Sequence, residues 1–179
     1  MIHIQETNMS EHILEADYVI VGAGAVGMAM ADTLTAETTA KVVIVDRRAK
    51  PGGHWNEAYP FVRLHGPSVT YGVNSMPLGS GRIDEVGLNA GLNELASGAE
   101  ICAYYDRVMQ QRLLPSGRVT WLPLHDLDED GVAISLVHGQ RRRLVARSAS
   151  RASGPATKAT APGAARARRR SSSPATMVV

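Results

Sequence analysis

An α/β domain that opens on a strand–helix–strand unit is what this sequence predicts, and three consecutive stretches carry the prediction. Tyr18 to Val21 is a short β-branched apolar run of the kind buried in parallel sheets, and glycines end it abruptly. Residues 25 to 36 hold Val26, Met28, Ala29, Met30, Ala31 and Leu34, which favour helix, while Gly27 and Ala31 leave a smooth face for packing on a sheet. KVVIVD, Lys41 to Asp46, then reads as a second buried strand, so residues 17 to 46 form a βαβ unit whose crossover is expected to be right-handed.

The next segment, from Arg47 to about Arg82, is rich in Gly and Pro and has little periodicity, and its Trp, Tyr and Phe argue for an ordered loop. Residues 83 to 96 read as helix-like, weakened by glycines. Ser97 and Glu100 then make the S-x-x-E capping box of a helix in which Ile101, Tyr104, Tyr105, Val108 and Leu113 fall near one face, and Pro115, Ser116 and Gly117 stop it. RVTWLPL and VAISLVHG are strand candidates on either side of the acidic turn HDLDEDG, a β-hairpin or part of a meander, and a third strand is expected over Arg143 to Ala146.

At 179 residues the chain suits one domain of ordinary size, and with Trp 2, Tyr 5 and Phe 1 its core must be filled mainly by Leu, Val, Ile and Met. Cys102 is the only cysteine, which excludes an internal disulfide, and no Cys/His cluster has zinc spacing. A reducing cytoplasm is therefore the expected setting, and no metal is implied. The N-terminal residues resemble neither a signal peptide nor a span, so residues 1–16 are expected to be a mobile leader of a soluble protein without membrane contact. The net charge of +2 conceals an asymmetry: residues 1–140 carry nine Lys/Arg and all 17 Asp/Glu, whereas residues 141–179 carry ten Lys/Arg and no acid.

Chemistry enters at Gly22, Gly24 and Gly27, a G-x-G-x-x-G between strand and helix, with Asp46 nineteen residues beyond the third glycine at the end of the second strand. In this Rossmann-like context the first glycine allows a tight turn, the second lets a pyrophosphate reach the backbone, and the third lets the helix pack near the strand. Phosphates would meet the unpaired amides at the helix start, those of Ala25 and Val26 among them. Asp46 suits the hydroxyls of an unphosphorylated ribose, as in FAD or NAD, although Arg47 and Arg48 beside it could serve a 2′-phosphate. A purely structural βαβ is the alternative.

PGGHW, residues 51 to 55, followed by NEAYP and FVRLHGPS, adds a more specific pattern. Together with GAGAVG it resembles the FAD-binding part of flavin-containing and Baeyer–Villiger-type monooxygenases, over residues 17 to about 145. The resemblance implies a Rossmann-like FAD-binding domain with a β-hairpin or meander, and an FAD-dependent oxidoreductase that takes NAD(P)H as reductant in intact relatives. It implies that Gly22, Gly24 and Gly27 face the FAD pyrophosphate and Asp46 the adenosine ribose, where many relatives carry Glu. Gly53, His54 and Trp55 would lie along the flavin side, with Arg63 and His65 approaching the isoalloxazine. Packing for Trp55, an ion pair for Arg63 and a loop hydrogen bond for His65 are the competing roles.

Other constellations point nowhere chemical. DLDEDG after His125 lacks the spacing and terminal glutamate of a calcium loop, Cys102 reads as a small buried hydrophobe, and Ser10, Ser68 and Ser75 have no nucleophile-elbow context. From about Arg147 the text is almost wholly Ala, Arg, Ser, Pro, Gly and Thr, which predicts a disordered basic tail over residues 147–179. That tail is either a polyanion-binding arm, the one route to nucleic acid, or the out-of-frame reading of a gene truncated or frameshifted near codon 146. The expectation is an incomplete FAD domain over residues 17–146, with catalysis on an unknown small molecule impaired or absent. The alternative is a non-catalytic dinucleotide-binding fragment or an NAD(P)-binding protein with a basic tail.

Overall fold

The computed structural model describes residues 12–151. Strand β1 (His12–Val21) leads through the glycine turn into helix α1 (Ala25–Glu37), and β2 (Val42–Asp46) follows with every residue buried. β1 and β2 pair in parallel from Tyr18↔Val42 to Val21↔Val45. The helix starts where the glycines release the chain from the strand. It ends at Thr38, whose extended backbone still donates its amide to the Leu34 carbonyl.

After a long loop that contains the two-residue ribbon β3 (Gly72–Val73) and β4 (Met76–Pro77), the Ser97 capping box opens α2 (Gly98–Arg107). The Glu100 amide donates to Ser97 Oγ at 3.3 Å, and the Ser97 amide donates to Glu100 Oε2 at 2.7 Å. The chain then widens into a π-helical stretch, Val108–Leu113, before a 3-10 turn at Leu114–Ser116 and a left-handed Gly117. Val108, Met109 and Leu113 of this stretch are all fully buried.

β5 (Val119–Pro123), β6 (His125–Leu127), β7 (Val132–Ser135) and β8 (Arg141–Arg151) complete a six-stranded sheet in the order β5-β2-β1-β8-β7-β6. β5 lies parallel to β2, and β8 lies parallel to β1 through the pairs Tyr18↔Ser148 to Val21↔Arg151. Alternation along the central strands sends Ile20, Val42 and Ile44 to one face, under Met28 and Ala31 of α1 and Ile101, Tyr104, Tyr105 and Val108 of the second helix. Val19, Val43 and Val45 point the other way and form a second apolar cluster with Leu122, Ala133 and Leu144. The parallel strands are thus buried on both faces, as their unbroken apolar runs require.

Four expectations need correction. Residues 83–96 form no helix beyond a short turn at Gly87–Asn89: Gly87 and Gly91 take positive φ, and the segment folds back through an Ile83↔Asn93 bridge. RVTWLPL is not the hairpin partner of VAISLVHG. It joins β2, the chain bends at Leu124 (φ 54°), and residues 125–127 of the supposed turn become the strand that pairs with β7. The reversal itself is confined to Asp128–Gly131, where Asp128 Oδ1 accepts the amides of Asp130 and Val132 at 3.0 and 2.8 Å.

The third strand is longer than Arg143 to Ala146, running from Arg141 to Arg151. The domain therefore does not end at 146, since residues 147–151 lie in the sheet: strand pairing needs only backbone groups, and Ala and Ser next to β1 satisfy it without apolar periodicity. For the same reason residues 12–16 belong to β1 rather than to a mobile leader. The rest of the expected leader and tail lies outside the described residues.

Candidate dinucleotide site

At the C-terminal end of β1 the Gly22 amide donates to the Val45 carbonyl at 2.8 Å, and Gly22 takes φ 104°, a conformation that favours glycine. The next amide, of Ala23, donates to Asp46 Oδ2 at 2.6 Å. Gly24 is the N-cap of α1 and brings no side-chain cap, and the first helical bond runs from the Met28 amide to the Gly24 carbonyl at 2.9 Å. The amides of Ala25, Val26 and Gly27 therefore have no acceptor within the helix, and no acid stands in this first turn to neutralise its positive end. A Cβ on Gly27 would overlap the Gly22 carbonyl oxygen, so only glycine lets the helix start this close to the strand end. The exposed Val26 side chain flanks the free amides.

The loop after β2 closes onto this turn. The Gly52 amide donates to the Ala23 carbonyl at 2.8 Å, and a Cβ on Gly53, itself at φ 56°, would lie 2.9 Å from the Gly24 Cα. Asn56 holds the loop shape by donating from Nδ2 to the carbonyls of Pro51 and Gly53, each at 3.1 Å. The glycine pair of PGGHW is thus the backbone-to-backbone counterpart of GAGAVG.

Charges line the approach. Arg47 is exposed, its Nε 3.8 Å from Asp126 Oδ2 of β6, and Arg48 Nε donates to Glu57 Oε1 at 2.8 Å. That hydrogen bond raises the Arg48 guanidinium above its ordinary value and lowers the Glu57 carboxyl below its own. His54 is exposed beside Trp55, with ring centroids 4.9 Å apart. Trp55 turns inward, donating from Nε1 to Tyr71 Oη at 2.8 Å and packing against the helical core, so its ring has a structural anchor.

The structure thus brings Gly22, Gly24, Ala25, Val26, Gly27, Asp46 and Gly53 into one cluster, with Arg47 and His54 at its margin. Arg63 is tied elsewhere: its Nη1 donates to the Leu95 carbonyl at 2.8 Å, and it lines a cavity of about 350 Å³ with Arg82, Glu94, Glu100 and Arg107. No residue of the glycine turn lines that cavity. His65 is exposed on the same stretch. Glu94 and Glu100 in the cavity wall are held below the usual carboxylate range, chiefly by the backbone amides of Ser80 and Ser97 respectively.

Sequence reasoning missed a buried polar cluster behind the site. Asp32 of α1 accepts the Ser75 amide at 3.0 Å and the Ser75 hydroxyl, and lies 3.6 Å from Arg112 Nε. An acid on the same helix face as Met28, Ala31 and Thr35 was the available signal. Cys102 is half-buried rather than buried, and burial pushes its thiol upward. Among the described residues no group of three or more His, Cys, Asp or Glu could hold a metal ion, and no helix is long and apolar enough to cross a membrane.

Parallel strands flanking β1, a glycine turn feeding an uncapped helix and an acid at the end of β2 define a Rossmann-like α/β domain. Residues 20–86 match the family model of the NAD(P)-binding Rossmann-like domain. Uncharacterized proteins of Mycobacterium tuberculosis and Mycobacterium bovis are 59% identical over 118 residues, which is 66% of this chain and 22% of theirs. The chain thus spans 22% of the length of these relatives.

Among solved structures the chain is similar to a flavin-containing monooxygenase from Stenotrophomonas maltophilia (TM-score 0.55, 21% identity, 77% of this chain and 38% of that one). It is similar also to a polycyclic ketone monooxygenase from the fungus Thermothelomyces thermophila (TM-score 0.54, 22% identity, 80% and 24%). At these identities the likeness establishes the fold.

Proposed function

We propose that this chain is the FAD-binding part of an oxidoreductase of the monooxygenase-like kind, holding the ADP moiety of the cofactor at the GAGAVG turn and the end of β2. The observation that carries the reading is the cradle itself. The absence of a Cβ on Gly27 lets α1 start close to the strand end with the amides of Ala25 to Gly27 unpaired, and PGGHW docks beside them on Ala23 and Gly24 through Gly52 and Gly53. Such a site suits a pyrophosphate, which is charged, needs backbone approach and takes several donors at once. FAD, when bound, would supply the redox chemistry of its isoalloxazine ring, while these residues bind and orient it. His54, Trp55, Arg63 and His65 are proposed for the flavin side on the strength of the sequence resemblance, with NAD(P)H as the reductant in full-length relatives.

Purified full-length chain titrated with FAD tests this. The expected result is saturable binding, seen as a change in flavin fluorescence and a retained yellow band after gel filtration. Gly24→Val should abolish it by filling the pyrophosphate approach. A folded protein that takes up no FAD, or a Gly24→Val variant of unchanged affinity, sinks the proposal. NAD in place of FAD is the second reading, favoured by the match of residues 20–86 to the NAD(P)-binding Rossmann-like domain. The same titration with NAD and NADP decides between them.

A further inference from the structure

A run of aromatic rings leads inward from the PGGHW loop. The exposed His54 ring lies 4.9 Å from Trp55, centroid to centroid, Trp55 lies 6.2 Å from Tyr71, Tyr71 lies 6.2 Å from Tyr105, and Tyr105 lies 5.1 Å from Tyr104. The step from Trp55 to Tyr71 carries more than ring contact, since Trp55 Nε1 donates its hydrogen to Tyr71 Oη at 2.8 Å. Both residues are half-buried at the edge of the helical core, whereas Tyr104 and Tyr105 are 0% exposed within it. Phenylalanine at either position would pack as an apolar ring. An indole N–H set against a phenol adds a bond along which a proton can move.

We propose that Trp55 and Tyr71 form a radical relay, in which a one-electron oxidation of Trp55 at the PGGHW loop is passed to Tyr71 and held there as a phenoxyl radical. The natural oxidant, a flavin in its light-excited state that takes up the electron, rests on the FAD reading above; the relay itself does not. Trp55 first loses an electron to the oxidant and its indole proton to water, which leaves a neutral indolyl radical. Its ring nitrogen, now without hydrogen, becomes an acceptor. The Tyr71 O–H turns toward that nitrogen across the same 2.8 Å, and one proton and one electron pass from phenol to indole. Trp55 is restored, and the unpaired electron rests on Tyr71. The transfer runs downhill because the neutral phenoxyl radical is more stable than the neutral indolyl radical at neutral pH.

The relay stops at Tyr71. Burial above all, then Tyr71 beside it, push the Tyr105 phenol far above the ordinary tyrosine value, and with no exposed surface its proton has no route to water. Tyr104 donates to the Met76 carbonyl at 2.6 Å, an oxygen too weakly basic to take the proton of an oxidised phenol. Tyr71 is half-buried, so small reductants in solution can reach its radical and restore it.

Azide radicals made by pulse radiolysis supply the oxidant without a cofactor, so the outcome does not depend on FAD binding. In the Trp121→Phe chain, which keeps Trp55 as its sole tryptophan, indolyl absorption should decay as phenoxyl absorption grows. The rate should be first-order, independent of protein concentration and slowed in heavy water. Adding Tyr71→Phe should abolish the growth and leave a long-lived indolyl radical, whereas adding Tyr105→Phe should leave the growth intact. Growth that persists at the same rate without Tyr71, or that is lost without Tyr105 in a chain still folded by circular dichroism, overturns the relay. The native chain gives a second reading should a variant fail to fold. Freeze-quenched after oxidation, its high-field electron paramagnetic resonance should show a phenoxyl radical coupled to one exchangeable proton, that of Trp55 Nε1. A phenoxyl spectrum without that coupling, or no phenoxyl at all, overturns it.

Discussion

The Asp32 carboxylate, 1% exposed on the inner face of α1, meets the Arg112 guanidinium of the π-helical stretch at 3.6 Å, and the Ser75 loop closes over the pair. Three distant segments are joined by one side chain. The π turn makes the meeting possible, because Val108, Met109 and Leu113 fill the core while Arg112 still reaches α1.

This arrangement predicts unequal costs for its two charged members. Asp32→Ala leaves the Ser75 amide and hydroxyl without their acceptor and the Arg112 Nε, which already has no hydrogen-bond partner among the described residues, beside a void. The cost should be about 2–3 kcal/mol. Arg112→Met leaves the buried Asp32 carboxylate without its cation but with both Ser75 donors in place, so it should cost less than Asp32→Ala, about 1–2 kcal/mol. Urea denaturation of both variants checks the inequality, and equal losses would contradict it.

The glycines of the turn should separate stability from binding. A Cβ on Gly27 overlaps the backbone of Gly22 and presses within 3.2 Å of Ile20 Cγ2, so Gly27→Ala should destabilise the fold by about 1–3 kcal/mol and weaken FAD together. A Cβ on Gly24 makes only an ordinary 3.6 Å contact with the Gly53 Cα. Gly24→Ala should leave the melting temperature nearly unchanged and lower FAD affinity. Melting curves and FAD titrations on the two variants read both quantities.

How much of this was legible in the sequence follows from the range of the interactions involved. The Tyr18–Val21 strand, α1, β2 and the Ser97 capping box were readable because each is specified by neighbours within a few residues: apolar runs, glycines at fixed offsets, an acid three residues past a serine. The clustering of Gly22, Gly24, Gly27 and Asp46 was legible for the same reason. The role of residues 125–127 was not, because acidic turn composition is overruled by pairing with β7. Neither was the course of β8, whose Ser and Ala residues are strand only because β1 lies beside them. Spacing alone did not mark the π turn, since Leu113 reads equally well as the next residue of an α-helical face. The inward turn of the Asp46 carboxylate depends on where Ala23 ends up, which no local pattern encodes.

The α2 cap carries a pH dependence of definite sign. The Ser97 backbone amide, and then its hydroxyl, hold the Glu100 carboxyl below its ordinary value of 4.5. A carboxyl depressed in the folded state contributes stability that is fully present above that ordinary value and is lost as pH falls through the lower, folded one. Glu100→Gln should therefore be less stable than the native chain at neutral pH and converge with it in acid. Ser97→Ala, which removes the hydroxyl but keeps the backbone donor, should cost about 1 kcal/mol at neutral pH. Denaturation midpoints across the acid range measure the convergence, and parallel curves would refute the assignment.

Tyr104 ties the second helix to the small ribbon. Its Oη accepts the Val73 amide at 2.7 Å and donates to the Met76 carbonyl at 2.6 Å, and a Cβ on Gly72 would overlap its ring. Burial raises its phenol above the ordinary value, so the hydroxyl stays protonated and keeps donating throughout the neutral range. Tyr104→Phe keeps the ring against Gly72 but strands the buried Val73 amide, which should cost about 1–2 kcal/mol. Because β3 packs on α1 as well, the loss should appear as faster hydrogen exchange at Val73 and Ser75 with β1 and β2 still protected. Uniformly faster exchange across all strands would show instead that the ribbon and the sheet unfold as one unit.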